Sequence, residues 1–150
     1  MKKKKKYPYK VYADRLTGGP PYIPTCTHGL NKIGWPEFFI DPLAFGPQGN
    51  AGNINAAYDY FKKPKNKKKL KAILNGETIE IPIKTLLPKW KNAPLYTLCS
   101  RKVSNDFEAV KQAFDFDGSG VDPDLVAVQI YVKGDDYALM DEYYQDGVKW

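Results

Sequence analysis

The apolar residues of this chain fall in short runs broken by proline and glycine, and none approaches the roughly 20 residues that a membrane-crossing helix requires. Runs of that length have to be buried as short strands and helices. YPYKVYA (7–13) and YIPTCTH (22–28) read as strands, with Pro24 making the second an edge strand or a broken one. WPEFFID (35–41) reads as a buried strand, as does PLYTLCSRKV (94–103). In DLVAVQIYVKG (124–134), Val126, Val128, Ile130 and Val132 alternate onto one face. Between these lie helical stretches. Asn53 is a suitable cap for INAAYDYF, whose Ile54, Ala57, Tyr58 and Phe61 share a helical face before Pro64 ends it. SNDFEAVKQAF (104–114) reads as a second helix, capped by Ser104 or Asn105. In KAILNGETIEIPI (71–83), Asn75-Gly76 sits between two apolar runs, the pattern of a type I′ hairpin, and LPKWKNAP is a connecting loop. Hairpins and isolated helices without repeating βαβ units predict an α+β fold: one domain over residues 1–150, a mainly antiparallel sheet and two or three helices.

Charge is distributed unevenly. Residues 1–102 carry 20 Lys or Arg against 6 Asp or Glu, a balance of +14, and residues 103–150 carry 3 against 11, a balance of −8, which together give the net +6. Such asymmetry suits a basic surface aimed at an acidic partner, or oppositely charged surfaces that meet within one fold or between copies in a homo-oligomer. The two basic clusters, Lys2–Lys6 and Lys62–Lys71, are almost purely lysine, and Arg15 and Arg101 are the only arginines. This argues against sequence-specific reading of DNA, which relies on forked arginine contacts. KKPKNKKKLK then reads either as a solvated helix end and loop or as a diffuse phosphate-attracting surface. Residues 1–6 read as a flexible basic tail without the apolar middle of a signal peptide. With two cysteines and no disulfide framework, the expected setting is soluble and cytoplasmic, a single Cys26–Cys99 bridge being the alternative.

Several constellations can carry chemistry. Cys26 and His28, two apart on a strand, project from the same face as a nucleophile and its base would; burial of the cysteine is the competing reading. His28, the single histidine, stands beside Gly29 at a strand-to-turn junction and is the candidate proton carrier. A zinc site lacks any C-x-x-C or H-x-x-x-H pair. DFDGSGVDPDLV (115–126) is similar to the start of an EF-hand calcium loop, with Asp115, Asp117, Ser119 and Gly120 in place; but Val126 replaces the bidentate glutamate, so weak calcium binding competes with a simple turn. In GPQGNAGNINAAYDYF (46–61), a glycine-rich turn before a helix exposes N–H groups suited to phosphate. Asn50, Asn53 and Asn55 can read a base or ribose there, or serve only the backbone.

Thr27-His28-Gly29-Leu30, then Trp35-Pro36-Glu37-Phe38 and the late strand LVAVQIYVKGDD, resemble a small bacterial and phage family, the domain of unknown function numbered forty-two sixty-two. The matching positions are Thr27, Gly29, Leu30, Pro36, Glu37, Val128 and Gln129, within residues 22–136; Cys26 and Phe38 stand where that pattern has tyrosine and leucine. The resemblance brings no established reaction and implies a phage-related setting, in which such a protein would sequester a host-defence signal nucleotide. The leading expectation is therefore a nonenzymatic binder of an anionic, nucleotide-type ligand, using Arg15, Thr27, His28, Trp35, Asn50, Gly52, Asn53, Asn55 and Arg101, without cofactor or membrane. The alternatives are an interaction module that docks an acidic protein through the basic half, and a nucleotide-cleaving enzyme with His28 as general acid or base.

Overall fold

Alternation along the strands decides which residues meet which helices. The computed structural model describes residues 7–13, 21–83, 96–115 and 118–148. Its strands are β1 (Lys10–Tyr12), β2 (Thr25–His28), β3 (Glu37–Ile40), β4 (Ile79–Ile83), β5 (Tyr96–Val103) and β6 (Ala127–Val132). They form one sheet in the order β1-β2-β3-β6-β5-β4, in which β3 and β6 run parallel and every other pair antiparallel. The helices α1 (Gly46–Lys62) and α2 (Lys67–Leu74) cover one face; α3 (Glu108–Phe114) and the single turn α4 (Asp141–Tyr144) cover the other. The expected α+β architecture is thus present, with four α-helices among the described residues where two or three were predicted.

Phe38, Ile40, Leu98, Val128 and Ile130 point to α1 and α2, where they pack with Ile54, Phe61 and Ile73. Cys26, Phe39 and Ala127 point the opposite way, against Ala109, Val110, Ala113 and Tyr144. Each fully buried aliphatic or phenylalanine side chain contributes roughly 1.5–3 kcal/mol, so both faces of the sheet contribute to stability.

Four local expectations are corrected. The glycine-rich run 46–53 is not a turn but the first two turns of α1, so Asn53 lies inside the helix and does not cap it. Tertiary contacts override weak propensity here. Asn50 accepts from Phe45 N (3.1 Å) and donates to Thr25 Oγ1 (3.1 Å), Asp41 O (3.0 Å) and Pro42 O (3.2 Å), which locks the helix start to the end of β3. Gly49 is required by close approach, because a Cβ there would lie 2.6 Å from Phe45 Cβ.

The Asn75-Gly76 hairpin is absent as well. KAIL is the end of α2, and Gly76 at φ 98° closes that helix, with Gly76 N donating to Ile73 O and Glu77 N to Ala72 O. A type I′ turn and a helix C-cap of this kind both require positive φ, which is why the same dipeptide suits either. Pro24 breaks its segment as expected, with Tyr22 bridging Val148 and β2 beginning at Thr25, but β2 lies inside the sheet and not at its edge. Finally, neither Ser104 nor Asn105 caps α3. Ser104 Oγ accepts from Asp106 N, and the Glu108 N–H donates to Asp141 Oδ1 of α4 at 2.7 Å. Cys26 and Cys99 are both buried and form no disulfide, so the bridge between them is absent. The tail 1–6 and the loop 87–94 lie outside the described residues. Among the described residues no helix is long and apolar enough to cross a membrane.

Candidate functional site

The Thr-x-Gly-Leu and Pro-Glu motifs are joined by one carboxylate. Glu37 is buried at the start of β3, and its Oε1 accepts from Thr27 Oγ1 (2.9 Å) and Leu30 N (3.0 Å). Its Oε2 accepts from Gly29 N (3.1 Å) and Asn31 N (3.2 Å). Three successive backbone N–H groups therefore converge on one negative charge, a concave anion nest filled from within the chain. Thr27 Oγ1 in turn accepts from Phe38 N at 2.9 Å, which ties β2 to β3 where their ladder ends. Thr27 is consequently a structural partner of Glu37 and has no hydroxyl to spare for a ligand. Gly29 has φ 120°, which strains any side chain, and a Cβ there would meet Pro8 O at 3.3 Å, a tight contact.

This turn forms one wall of a cleft of about 960 Å³ whose other walls come from the β1 segment and the loop before β6. Lys10, Tyr12 and His28 line it together with Lys32, Asp122 and Asp124. His28 sits at the end of β2 opposite Lys10 in register, with the Tyr12 ring edge-on at 4.7 Å and the Phe114 ring at 5.3 Å. Burial pulls its pKa below the ordinary imidazole value, partly offset by the Glu37 charge, so it is neutral at pH 7. Cys26 Sγ lies 3.2 Å from His28 Nε2, the geometry expected of a thiol–imidazole pair. Cys26 is nevertheless only 1% exposed, packed among Phe39 and Ala113, with its sulfur also 3.5 Å from Ala113 O. A substrate cannot reach that sulfur. The pair holds the imidazole in place, and the chemistry facing the cleft is that of a neutral histidine in a wall shared with two lysines and two aspartates.

The other predicted residues do not join His28. Asn50 is satisfied within the fold, Gly52 is an interior helix position, and Asn55 Oδ1 accepts from Tyr9 Oη at 2.6 Å. Asn53 accepts from Tyr96 Oη at 3.2 Å, and its Nδ2 is buried without a partner among the described residues. Trp35 lies half-buried against Tyr58, ring centroids 4.8 Å apart. Arg101 shares a cross-strand row with Gln129, Phe39 and Cys26, but three strand spacings, about 14 Å, separate it from β2. Its Nε donates to Gln129 Oε1 (2.8 Å) and its Nη2 to Leu139 O (3.3 Å), so it pins the turn before α4 to the sheet. Arg15 lies outside the described residues, as does Asp117.

In the calcium candidate 115–126, the described aspartates make local backbone bonds. Asp115 Oδ1 accepts from Gly120 N and Asp122 Oδ1 from Asp124 N, so both carboxylates close turns. Among the described residues, no group of three or more His, Cys, Asp or Glu is placed to hold a metal ion.

Sequence reasoning did not select Lys10, Tyr12 or Lys32. The alternation of Lys10 and Tyr12 about Val11 was the available signal, since an antiparallel partner places both on the His28 face. No protein-family model, curated protein or solved structure matches this chain.

Proposed function

We propose that the chain is a nonenzymatic binder of an anionic, nucleotide-type ligand seated in the cleft beside His28. One observation carries the reading: a cleft of about 960 Å³ in which two lysines, an aromatic ring and a neutral imidazole converge. That volume is at the upper end of small-ligand sites and accommodates a mononucleotide or a cyclic dinucleotide. Lys10 and Lys32 supply phosphate contacts, and Tyr12, 49% exposed, supplies a face for a base. Asp122 and Asp124 accept from ribose hydroxyls or an exocyclic amine. The burial of Cys26 favours holding over converting the ligand, because it keeps the thiol beside the histidine out of the ligand's reach.

The test is thermal unfolding against linear and cyclic nucleotides, with calcium and chelator arms and chromatography of each mixture. A ligand that binds only the folded state at a hundredfold excess over Kd adds about 2.7 kcal/mol of stability. Stabilisation with the ligand intact, weakened by His28→Ala and by Tyr12→Ala, supports the binder. Ligand alteration that His28→Ala abolishes replaces it with an enzyme using His28 as general acid or base. No stabilisation by any nucleotide overturns the reading and leaves an acidic protein partner as the alternative.

A further inference from the structure

The cleft beside His28 carries both signs of charge, and they do not cancel each other. Lys10 stands on the β1 wall and Lys32 on the turn after β2, while Asp122 and Asp124 stand on the loop before β6. All four are exposed, and none is ion-paired among the described residues. With buried Glu37 the lining sets two lysines against three carboxylates, a balance of −1 while His28 is neutral. Glu37 is occupied by its own four donors. The cleft therefore offers a ligand two cations and two carboxylates, on separate walls.

Hydrogen bonds hold the two poles in a fixed relation. Asn31, the residue before Lys32, bonds the Val126 backbone in both directions, its Oδ1 accepting from Val126 N at 3.4 Å and its Nδ2 donating to Val126 O at 3.5 Å. Val126 O also accepts from Glu37 N at 2.9 Å, which ties the loop to the start of β3. Within the loop, Leu125 N donates to Asp122 O at 3.0 Å and Asp124 N to Asp122 Oδ1 at 2.9 Å, so the turn that carries both carboxylates is closed on itself. Among the described residues, Asp122 keeps one carboxylate oxygen for a ligand and Asp124 keeps both.

We infer that the ligand of this cleft is a nucleotide of low charge whose base carries an exocyclic amine, an inference that rests on reading the cleft as a nucleotide site. A nucleoside monophosphate carries about two negative charges at neutral pH, and a cyclic dinucleotide carries one on each of its diesters. Lys10 and Lys32 match either. A triphosphate adds further negative charge with no cation left to receive it and two aspartates facing it. On the opposite wall, an ionised carboxylate only accepts hydrogen bonds. It therefore binds the amine of adenine, guanine or cytosine and repels the carbonyl that stands in place of that amine in hypoxanthine or uracil. Ile33, 51% exposed, follows Lys32, and Leu125 follows Asp124, so each pole has an apolar neighbour in the cleft for the body of the ligand. A ligand held through phosphate alone would leave both carboxylates desolvated without a partner.

The experiment is isothermal titration calorimetry of the full chain, above pH 7 and without magnesium, with AMP against IMP, CMP against UMP, cyclic di-AMP against cyclic di-IMP, and ATP. Within each pair the amino-bearing member binds about tenfold tighter, and ATP binds no tighter than AMP. The tighter of AMP and cyclic di-AMP identifies which of the two forms the cleft takes. In the double variant Asp122→Asn with Asp124→Asn, the amides both donate and accept, so the preference within each pair falls below about threefold. Asparagine keeps the Oδ1 that closes the turn, and the variant retains the wild-type circular dichroism and Tm. Lys32→Gln weakens every nucleotide and leaves the preference intact. Equal binding within the pairs, affinity that climbs from AMP to ATP, or a preference that survives the double variant overturns this inference alone and leaves the nucleotide reading standing. Absence of binding by every nucleotide overturns that reading and the inference with it.

Discussion

Replacing Glu37 with Gln changes shape least while removing the charge on which four donors converge. Wild-type Oε1 takes Thr27 Oγ1–H and Leu30 N–H, and Oε2 takes the N–H groups of Gly29 and Asn31. An amide has one oxygen, so two of the four donors must face its NH₂. The favoured orientation turns NH₂ toward Gly29 and Asn31, which are partly exposed and gain some water, and keeps oxygen for buried Thr27 and Leu30. Each unmet donor costs about 1–3 kcal/mol, discounted here for partial hydration, and the two remaining bonds lose their charge assistance. The expected destabilisation is about 2–4 kcal/mol. For a chain of this size that lowers Tm by about 6–12 °C, measured by far-UV circular dichroism with urea unfolding as a cross-check. The variant still folds, since native stabilities are about 5–15 kcal/mol. A shift below about 2 °C would refute the assignment of Glu37 as the keystone of the 27–31 turn.

Two further outcomes follow from the same structure. Gly76→Ala forces a side chain into the left-handed region at φ 98° with open space around it, so strain alone lowers stability by about 1–2 kcal/mol. Gly76→Asn recovers part of that loss, and an unchanged Tm for the alanine variant would remove the helix-cap reading. The folded-state pKa of His28 lies below its unfolded value of 6.5, so the unfolded chain binds the proton first. Stability is full above pH 6.5 and declines as the pH falls through 6.5 toward the folded value. Asp41, raised above its ordinary carboxylate value by burial, acts in the opposite sense at lower pH, and only His28→Gln should flatten urea-derived stability between pH 7 and 5.5.

Strand alternation made most of the sheet readable, because Phe38, Ile40, Val128 and Ile130 fix their own faces once they are recognised as strand residues. The start of α1 was hidden because its glycines and asparagines are poor helix formers, and the contacts that hold it, Asn50 to Thr25 and to the 41–42 carbonyls, are long-range. Asn75-Gly76 was misread because positive φ is demanded by two different structures. In α2 the pattern was obscured by lysines around Leu70, Ile73 and Leu74. Of the candidate site, His28 was visible as the lone histidine beside a glycine. Its neighbours Lys10 and Lys32 were not, since only the pairing of β1 with β2 and the turn held by Glu37 bring them to it.

The order of the strands also bears on a chain still being synthesised. β1, β2 and β3 can associate early, but the second edge of β3 is completed by β6, whose first residue, Ala127, follows Ile40 after most of the chain has been made. At about 5–20 residues per second, a ribosome needs roughly 4–17 s to cover that distance. Throughout that interval Phe38, Phe39 and Ile40, fully buried in the finished molecule, present an unpaired apolar edge of the kind that recruits foreign strands. Nascent chains halted after β5 should therefore aggregate or be held by chaperones, and the arrival of β6 is what closes the middle of the sheet.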